Sequence, residues 1–418
     1  MNDAERFLTR HGGLTRRFFL RSGVAWAAAG YGLAAAAEPI PPELAPALEK
    51  LEPYFTPQAE FRDVSRGNPI PHTLTEERRR QVGLTRETWR LEVVSDPENP
   101  ATLGQELSAK NETALDFSAL LRLGERHAVR FAKVMTCLNI GCPLGMGIWE
   151  GVPLREILWL TRPKENLRRV FYHGYHNDDP KQLFRSSLPV GRVLEDYDEL
   201  PPVIVCYKLN GEWLEPKRGG PVRIVVPEGY GFKSVKWLTR VTLSNVPHAN
   251  DTYAGGNNDV DSPLKTFAAT LLVPGESKAN QPIPITGYAQ VGVSGLSKVQ
   301  VWVSPAGASW PADDPYFTSA PWSDAHVLAP PPRWGGNLPG ESVPKDTIGF
   351  DATSGRPKTW PMRLAKAHWA ALLPGLAAGG YVLRCRTIDA KGHAQPMPRP
   401  FRKSGRCDIE EVRLTVKG

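Results

Sequence analysis

The stretch that decides the fold runs over residues 207–244, "YKLNGEWLEPKRGGPVRIVVPEGYGFKSVKWLTRVTLS". Its short β-branched and aromatic runs are cut by Gly and Pro, the texture of strands joined by tight loops. "PVRIVVPE" reads as a strand, and so does "SVKWLTRVTLS", whose alternation puts Val235, Trp237, Thr239 and Val241 on one face. Cations crowd the strand ends. Lys217, Arg218 and Arg223 surround a glycine pair, and Lys233, Ser234 and Lys236 follow "GYGF". Cationic side chains beside glycine-freed backbone N–H groups can hold a phosphate or pyrophosphate; the same charges also suit a solvated sheet edge.

Upstream, "HAVRFAKVMTC" reads as a strand, and "PLREILWL" carries Leu154, Ile157 and Leu158 at helical spacing. Strands interleaved with short helices over residues 50–260 argue for a compact α+β domain. Between those two elements lies "MTCLNIGCPLGMGIWEGVPL", residues 135–154, with Cys137 and Cys142 in a loop-like run. Spacing alone leaves open a tiny disulfide loop, a buried thiol or a thiolate pointing into a cavity. Zinc fits poorly, because CxxxxC lacks the second ligand pair of a structural site. Position favours a separate role for Cys137, which follows directly on a strand and opens a Gly-containing loop.

The texture changes after residue 265. "QPIPITGYAQVGVSGLSKVQVWVSPAG" and "GGYVLRCRTIDAKGHAQPM" are short strands punctuated by turns, the pattern of a β-sandwich, and residues 320–360 read as a long Pro/Gly-rich insertion within it. At the other end, "LTRRFFLR" precedes the apolar "SGVAWAAAGYGLAAAA" and the proline-rich "EPIPPEL". That is an export signal, with cleavage expected near Ala37. Arg16 and Arg17 match the twin-arginine type, which carries folded, cofactor-loaded proteins to the periplasm. The expected division is therefore 1–37 signal peptide, 38–85 irregular arm ending in a short helix, 86–262 α+β domain and 263–418 β-sandwich.

Charge excludes some partners. The formal +7 falls to +4 after cleavage, since residues 1–37 carry five Lys or Arg and two Asp or Glu. That balance, without a dense basic run, does not suit nucleic acid, and no segment after the signal is apolar enough to span a membrane. All five cysteines, at 137, 142, 206, 385 and 407, follow the signal, an odd count for an oxidising compartment. No CxxCH haem motif and no four-cysteine iron–sulfur spacing appear.

Taken together, "TC" in a loop, "WEGVPLREIL", the 207–244 block, "ITGYA" and "CRTIDAKGHAQP", in that order, resemble the sulfite oxidase family of molybdopterin enzymes. The resemblance covers roughly residues 55–418 and implies a molybdopterin-binding α+β domain followed by an immunoglobulin-like β-sandwich that dimerises in the family. It also implies one molybdenum cofactor held by a single protein cysteine, by position Cys137; a thiolate suits a soft metal–sulfur bond. The cofactor's phosphate falls to Arg223 and Lys236, with backbone contacts from Ser234 and Val235 and a further contact from Asn139. Arg218 stands in "RGGPVR" where the family usually has the histidine of "HGFPVR". The arm "FRDVSRGNPIP" resembles a pterin-binding segment, with Arg66 and Asn68 as the matching residues and Arg62 as competitor. His176 in "HGYHNDDP" falls where relatives carry an acidic contact. Tyr253 in "NDTYAGGNND" matches a tyrosine that manages protons and anions at the metal.

One departure is chemical. Sulfite-oxidising members read "CAGNR" after the ligand, whereas this chain reads Cys137-Leu138-Asn139-Ile140-Gly141, so the anion-binding arginine must come from elsewhere, Arg66 or Arg62. The resemblance implies oxidation of sulfite to sulfate, with electrons passed to a separate cytochrome c-type partner. The alternative is another sulfur compound, through a sulfane-sulfur dehydrogenase or a sulfoxide reductase. Composition is compatible with a homodimer.

Overall fold

The structure, a computed structural model, describes residues 39–197, 200–396 and 399–418. The expected export segment, with Arg16, Arg17 and the expected cleavage position near Ala37, lies outside the described residues. Apolar periodicity in the first part of the chain builds two sheets. The Val129–Thr136 strand, buried from Phe131 onward, pairs antiparallel with Pro143–Pro153, which pairs with Ile204–Leu209. Thr347–Ile348 closes one edge of this sheet and Glu212–Trp213 the other, while Arg223–Val225 pairs with Ile204–Leu209. The second sheet runs Leu115–Asp116, Arg90–Ser95, Leu238–Ser244, Arg169–Gly174, Arg185–Pro189. Only its Arg90–Ser95 and Leu238–Ser244 pair is parallel.

Short helices cover these sheets where the sequence starts them. Asp116 caps Phe117–His127 by accepting from the Ala119 N–H at 2.7 Å, satisfying a donor the first turn leaves free. Leu154–Trp159 buries Leu154, Ile157 and Leu158, the face its spacing implies.

The 234–244 stretch departs from the simple alternation. The strand begins at Leu238, because Trp237 is left-handed (φ 54°) and a bulge between Leu238 and Arg240 resets the register. Leu238, Val241 and Leu243 therefore face the core, and Thr239 is only half-buried. The indole N–H of Trp237 donates to the Pro216 carbonyl at 2.9 Å and its backbone N–H to Gly219 at 3.1 Å, which holds the bend. The bend leaves residues 234–236 outside the sheet, free to line a cavity.

Downstream the regular elements are nearly all strands; among the described residues no α-helix follows Val190–Leu194. Eight strands follow one path: Phe267–Leu272, Ile283–Gln290, Lys366–Leu373, Ser323–Val327, Lys298–Pro305, Gly379–Ile388, Glu410–Lys417, Glu276–Lys278. Ile285 and Trp369 from one part of the path share a single core with Val299, Leu383 and Leu414 from the other.

The long Pro/Gly-rich segment does not stay within this region. Trp334, Leu338, Val343 and Phe350 join the core of the α+β region, and Thr347–Ile348 pairs in parallel with Val129–Thr136. The Phe55 N–H donates to the Trp334 carbonyl at 2.7 Å, and Asn210 Nδ2 donates to the carbonyls of Gly336 and Thr56, each at 2.9 Å. Apolar anchors spaced along an otherwise turn-rich chain let it lie across a neighbouring core. Glu43–Gly418 is accordingly one unit. Among the described residues no helix is long and apolar enough to cross a membrane.

Candidate functional site

The loops that leave the strand ends enclose a cavity of about 450 Å³. Three of them contribute most: the arm at 61–66, the turn after Thr136, and the 231–237 bend. Its lining includes Cys137, Asn139, Arg62, Arg66, His176, Arg218, Arg223, Ser234, Val235, Lys236 and Tyr253, so sequence-distant candidates converge on one space. Asn68 is the exception and corrects the reading of the arm. It is exposed and absent from the lining; its N–H donates to Gln182 Oε1 at 3.2 Å and its carbonyl accepts from Asn177 Nδ2 at 3.1 Å. The turn it occupies is tied to the 177–182 loop, which draws it off the cavity.

One group of lining residues is cationic and buried. The Arg223 guanidinium donates to the carbonyls of Arg218 at 2.8 Å and Ser234 at 2.5 Å, and lies 5.2 Å from the Trp149 ring centre. Lys236 Nζ donates to Ser65 Oγ at 2.6 Å and the Lys217 carbonyl at 2.8 Å, and pairs with Asp63 at 3.2 Å. Arg218 is 3% exposed, yet its Nε and Nη2 have no hydrogen-bond partner.

Burial pushes all three down. Arg218 falls below its ordinary range. Arg223 is lowered to about 10, through burial partly countered by Cys206. Lys236 is lowered to about 7 by burial and then by repulsion from Arg223, against the pull of Asp63. Burial raises the Asp63 carboxyl, but hydrogen bonds from Ser65 and the charge of Lys236 outweigh it and hold the group at about 2. Two buried arginines and the partly buried Lys236 thus lie together, with Asp63 paired to Lys236, an arrangement that an incoming anion would relieve.

A second group surrounds the cysteine loop. Asn139 Nδ2 donates to the Tyr253 hydroxyl at 3.2 Å, leaving the phenol proton for another acceptor. The Arg66 guanidinium lies 5.1 Å from the Phe184 ring centre and 5.6 Å from that of Tyr253. Lys403 Nζ approaches the Tyr253 ring at 5.8 Å and also lines the cavity. Arg62 lines the cavity too, but its Nη1 is 3.4 Å from Cys142 Sγ. Cys137 and Cys142 are both thiols, so the bridge that their spacing left open is not formed. His176 is buried, its Nδ1 3.3 Å from the Gly174 carbonyl, and burial followed by Arg66 lowers its pKa although the Gly174 contact opposes this.

The residues fit a molybdopterin cofactor. The orphaned Arg218 donors beside Arg223 and Lys236 match a phosphate, and Cys137 offers one soft donor. Among the described residues no three His, Cys, Asp or Glu side chains converge as a metal site. A metal at Cys137 would therefore need its remaining donors from an organic group. Sequence reasoning missed Asp63 and Ser65, which brace Lys236, and Lys403. The cationic run "FRKSGR" was the available signal for Lys403, but nothing in it indicates where the segment returns.

Residues 79–252 match the oxidoreductase molybdopterin binding domain. Sulfite oxidase of Gallus gallus is 31% identical over 268 residues, covering 59% of this chain and 50% of that protein. Mitochondrial sulfite oxidase of Rattus norvegicus is 27% identical over 303 residues, covering 66% and 50%. The NADPH nitrate reductase of Beauveria bassiana is 29% identical over 151 residues, covering 36% and 16%. The chain thus matches half the length of the two sulfite oxidases and a smaller share of the nitrate reductase. The crystal structure of the sulfane dehydrogenase SoxCD from Paracoccus pantotrophus shares the fold, with a TM-score of 0.57 at 16% identity over 92% of this chain and 93% of that one.

Domain match, fold and cavity together define the class, a molybdopterin-dependent oxidoreductase. Within that class the chain is similar to sulfite oxidases over half of their length and shares its fold with the sulfane dehydrogenase SoxCD.

Proposed function

We propose that the chain is a Tat-exported periplasmic enzyme that oxidises sulfite to sulfate and delivers two electrons to a separate cytochrome c-type acceptor. The observation that carries this reading is the group around Tyr253. Arg66 and Lys403 both approach its ring, and Asn139, two residues after Cys137, binds its hydroxyl. These cations supply the oxyanion recognition that the "LNIG" loop lacks. In the net reaction sulfite gains a water oxygen and releases two protons and two electrons.

When bound, the molybdenum cofactor supplies the two-electron acceptor and the oxygen transfer. Cys137 would ligate the metal, and Arg218, Arg223 and Lys236 would hold the phosphate, with Ser234 and Val235 presenting their backbone. His176, kept neutral by burial, would hydrogen-bond the pterin. Arg66 and Lys403 draw the anion in, and the Tyr253 hydroxyl offers it a proton. Arg62, turned toward Cys142, would add long-range attraction at the mouth.

A second reading has its own support. Leu138, Ile140, Phe184 and Phe232 make part of the lining apolar, and the structural neighbour is a sulfane dehydrogenase. A less charged sulfur substrate, oxidised as sulfane sulfur or reduced as a sulfoxide, would suit such walls. We also take residues 38–85, 86–262 and 263–418 as arm, cofactor domain and immunoglobulin-like, dimer-forming sandwich; the one core shared by both parts of the eight-strand path supports the sandwich packing.

The test is a substrate panel on purified, molybdenum-loaded protein with cytochrome c as acceptor. Sulfite should reduce cytochrome c. Full molybdenum occupancy with reduction by a sulfane donor alone, or oxidation of the reduced enzyme by a sulfoxide, would replace the sulfite reading with the second.

A further inference from the structure

The strand-rich region touches the cofactor loop through a fully buried pair of polar side chains. Gln290 ends the Ile283–Gln290 strand, with Phe267 and Lys366 opposite it on the two neighbouring strands, so its backbone is fixed on both sides. Its Nε2 donates to the Lys265 carbonyl at 2.8 Å. That bond sets the orientation of the amide and turns Oε1 toward Thr136, whose Oγ1 donates to it at 2.5 Å. Both residues are 0% exposed, so neither has water as an alternative partner.

Thr136 is the last residue of its strand and the residue before Cys137. Its carbonyl accepts from the Gly231 N–H at 2.7 Å, and the Cys137 carbonyl accepts from the Gly141 N–H at 3.0 Å. The ladder with Pro143–Pro153 slips between Met135 and Thr136, and the residue then opposite Thr136 is Pro143, which has no N–H to donate, so pairing holds the chain less firmly there. The hydroxyl contact adds to it, and a β-branched side chain transmits the constraint stiffly to its own backbone.

We infer that Gln290 is a positioning residue: through Thr136 it sets the direction in which the Cys137 thiol enters the cavity, so the strand-rich region helps tune the metal. This rests on Cys137 being the metal ligand. Groups that orient a metal ligand from behind change affinity or activity by about 10- to 100-fold when removed.

The test uses the full chain, loaded with cofactor, carrying Gln290→Leu, Thr136→Val or Thr136→Ser. The readouts are the electron paramagnetic resonance spectrum of the one-electron-reduced metal, which depends on thiolate orientation, and the rate of molybdenum loss during dialysis. Gln290→Leu and Thr136→Val should each shift the spectrum and speed metal loss by about tenfold, and Thr136→Ser should restore both. Native spectra and native retention in Gln290→Leu and Thr136→Val would overturn the inference. If Gln290→Leu does not fold, Thr136→Val, which leaves the Gln290–Lys265 bond in place, decides the matter alone. A Cys137→Ala protein with the native spectrum would overturn the ligand assignment itself, a result distinct from native behaviour in the Gln290 and Thr136 variants.

Discussion

The cavity wall and the core of the strand-rich region treat buried charge in opposite ways. Around the cavity, Asp63 pairs with Lys236 at 3.2 Å, Arg223 donates to backbone carbonyls, and two donor atoms of Arg218 find no partner. In the strand-rich region Arg384 meets Glu411 at 2.7 Å and Ser304 at 2.9 Å, and Arg386 meets the Gln300 side chain at 2.9 Å. Its apolar core is built on Ile285, Trp369 and Leu383, with buried polar groups such as Thr286, Gln290 and His368 at its margins. One region therefore carries an electrostatic cost that an anion would relieve, whereas among the described residues the orphaned polar atoms of the other, His368 Nε2, Trp369 Nε1 and Asp389 Oδ2, include no Arg or Lys donor. The difference separates residues selected for binding from residues selected for stability, and it can be broken by experiment.

The largest effect belongs to the cysteine loop. Cys137→Ala should abolish molybdenum-dependent turnover, whereas Cys142→Ala, which removes only a thiol beside Arg62, should retain it; equal loss in both would return the pair to a joint structural role. Next comes the strand-rich core. Trp369→Ala should lower the unfolding free energy by about 3–5 kcal/mol in denaturant titrations, through the cavity it opens.

Arg218→Met should go the other way in cofactor-free protein, raising stability by about 1 kcal/mol because a buried charge with two orphaned donors disappears. The same variant should bind cofactor less well. A loss of stability in the cofactor-free form would mean that Arg218 is structural and would erase the contrast between the two regions.

The smallest effect is a pH slope. Native Lys236 sits at about 7 and an unfolded lysine near 10.5, so between those values the unfolded chain binds more protons. Cofactor-free stability should therefore rise with pH from about 7 to 9, above which Cys206 and Cys385, both raised by burial, oppose the slope. Lys133, also lowered to about 7 by burial, adds a slope of the same sign. Lys236→Met should thus flatten the profile only in part, as thermal unfolding at several pH values would reveal.

The legible parts of this molecule were those with a local signal. Strand and helix positions such as Val129–Thr136 and Leu154–Trp159 follow from apolar spacing, and the clustering of Arg218, Arg223 and Lys236 follows from glycine-rich strand ends. Features that depend on tertiary contacts were not legible. Trp237 takes a left-handed backbone because the 216–219 turn holds it, which alternation cannot reveal. Asn68 leaves the cavity because Asn177 and Gln182 bind it, and Lys403 enters the cavity from 150 residues beyond Tyr253. The return of Trp334 and Thr347–Ile348 to the first core is likewise invisible in a segment whose composition says only turn and loop.

The central claim, that this cavity holds a molybdenum cofactor through Cys137, is tested most directly by X-ray absorption at the molybdenum edge on purified native and Cys137→Ala protein. The account predicts one sulfur neighbour fewer around the metal in the variant. An unchanged sulfur shell would contradict it.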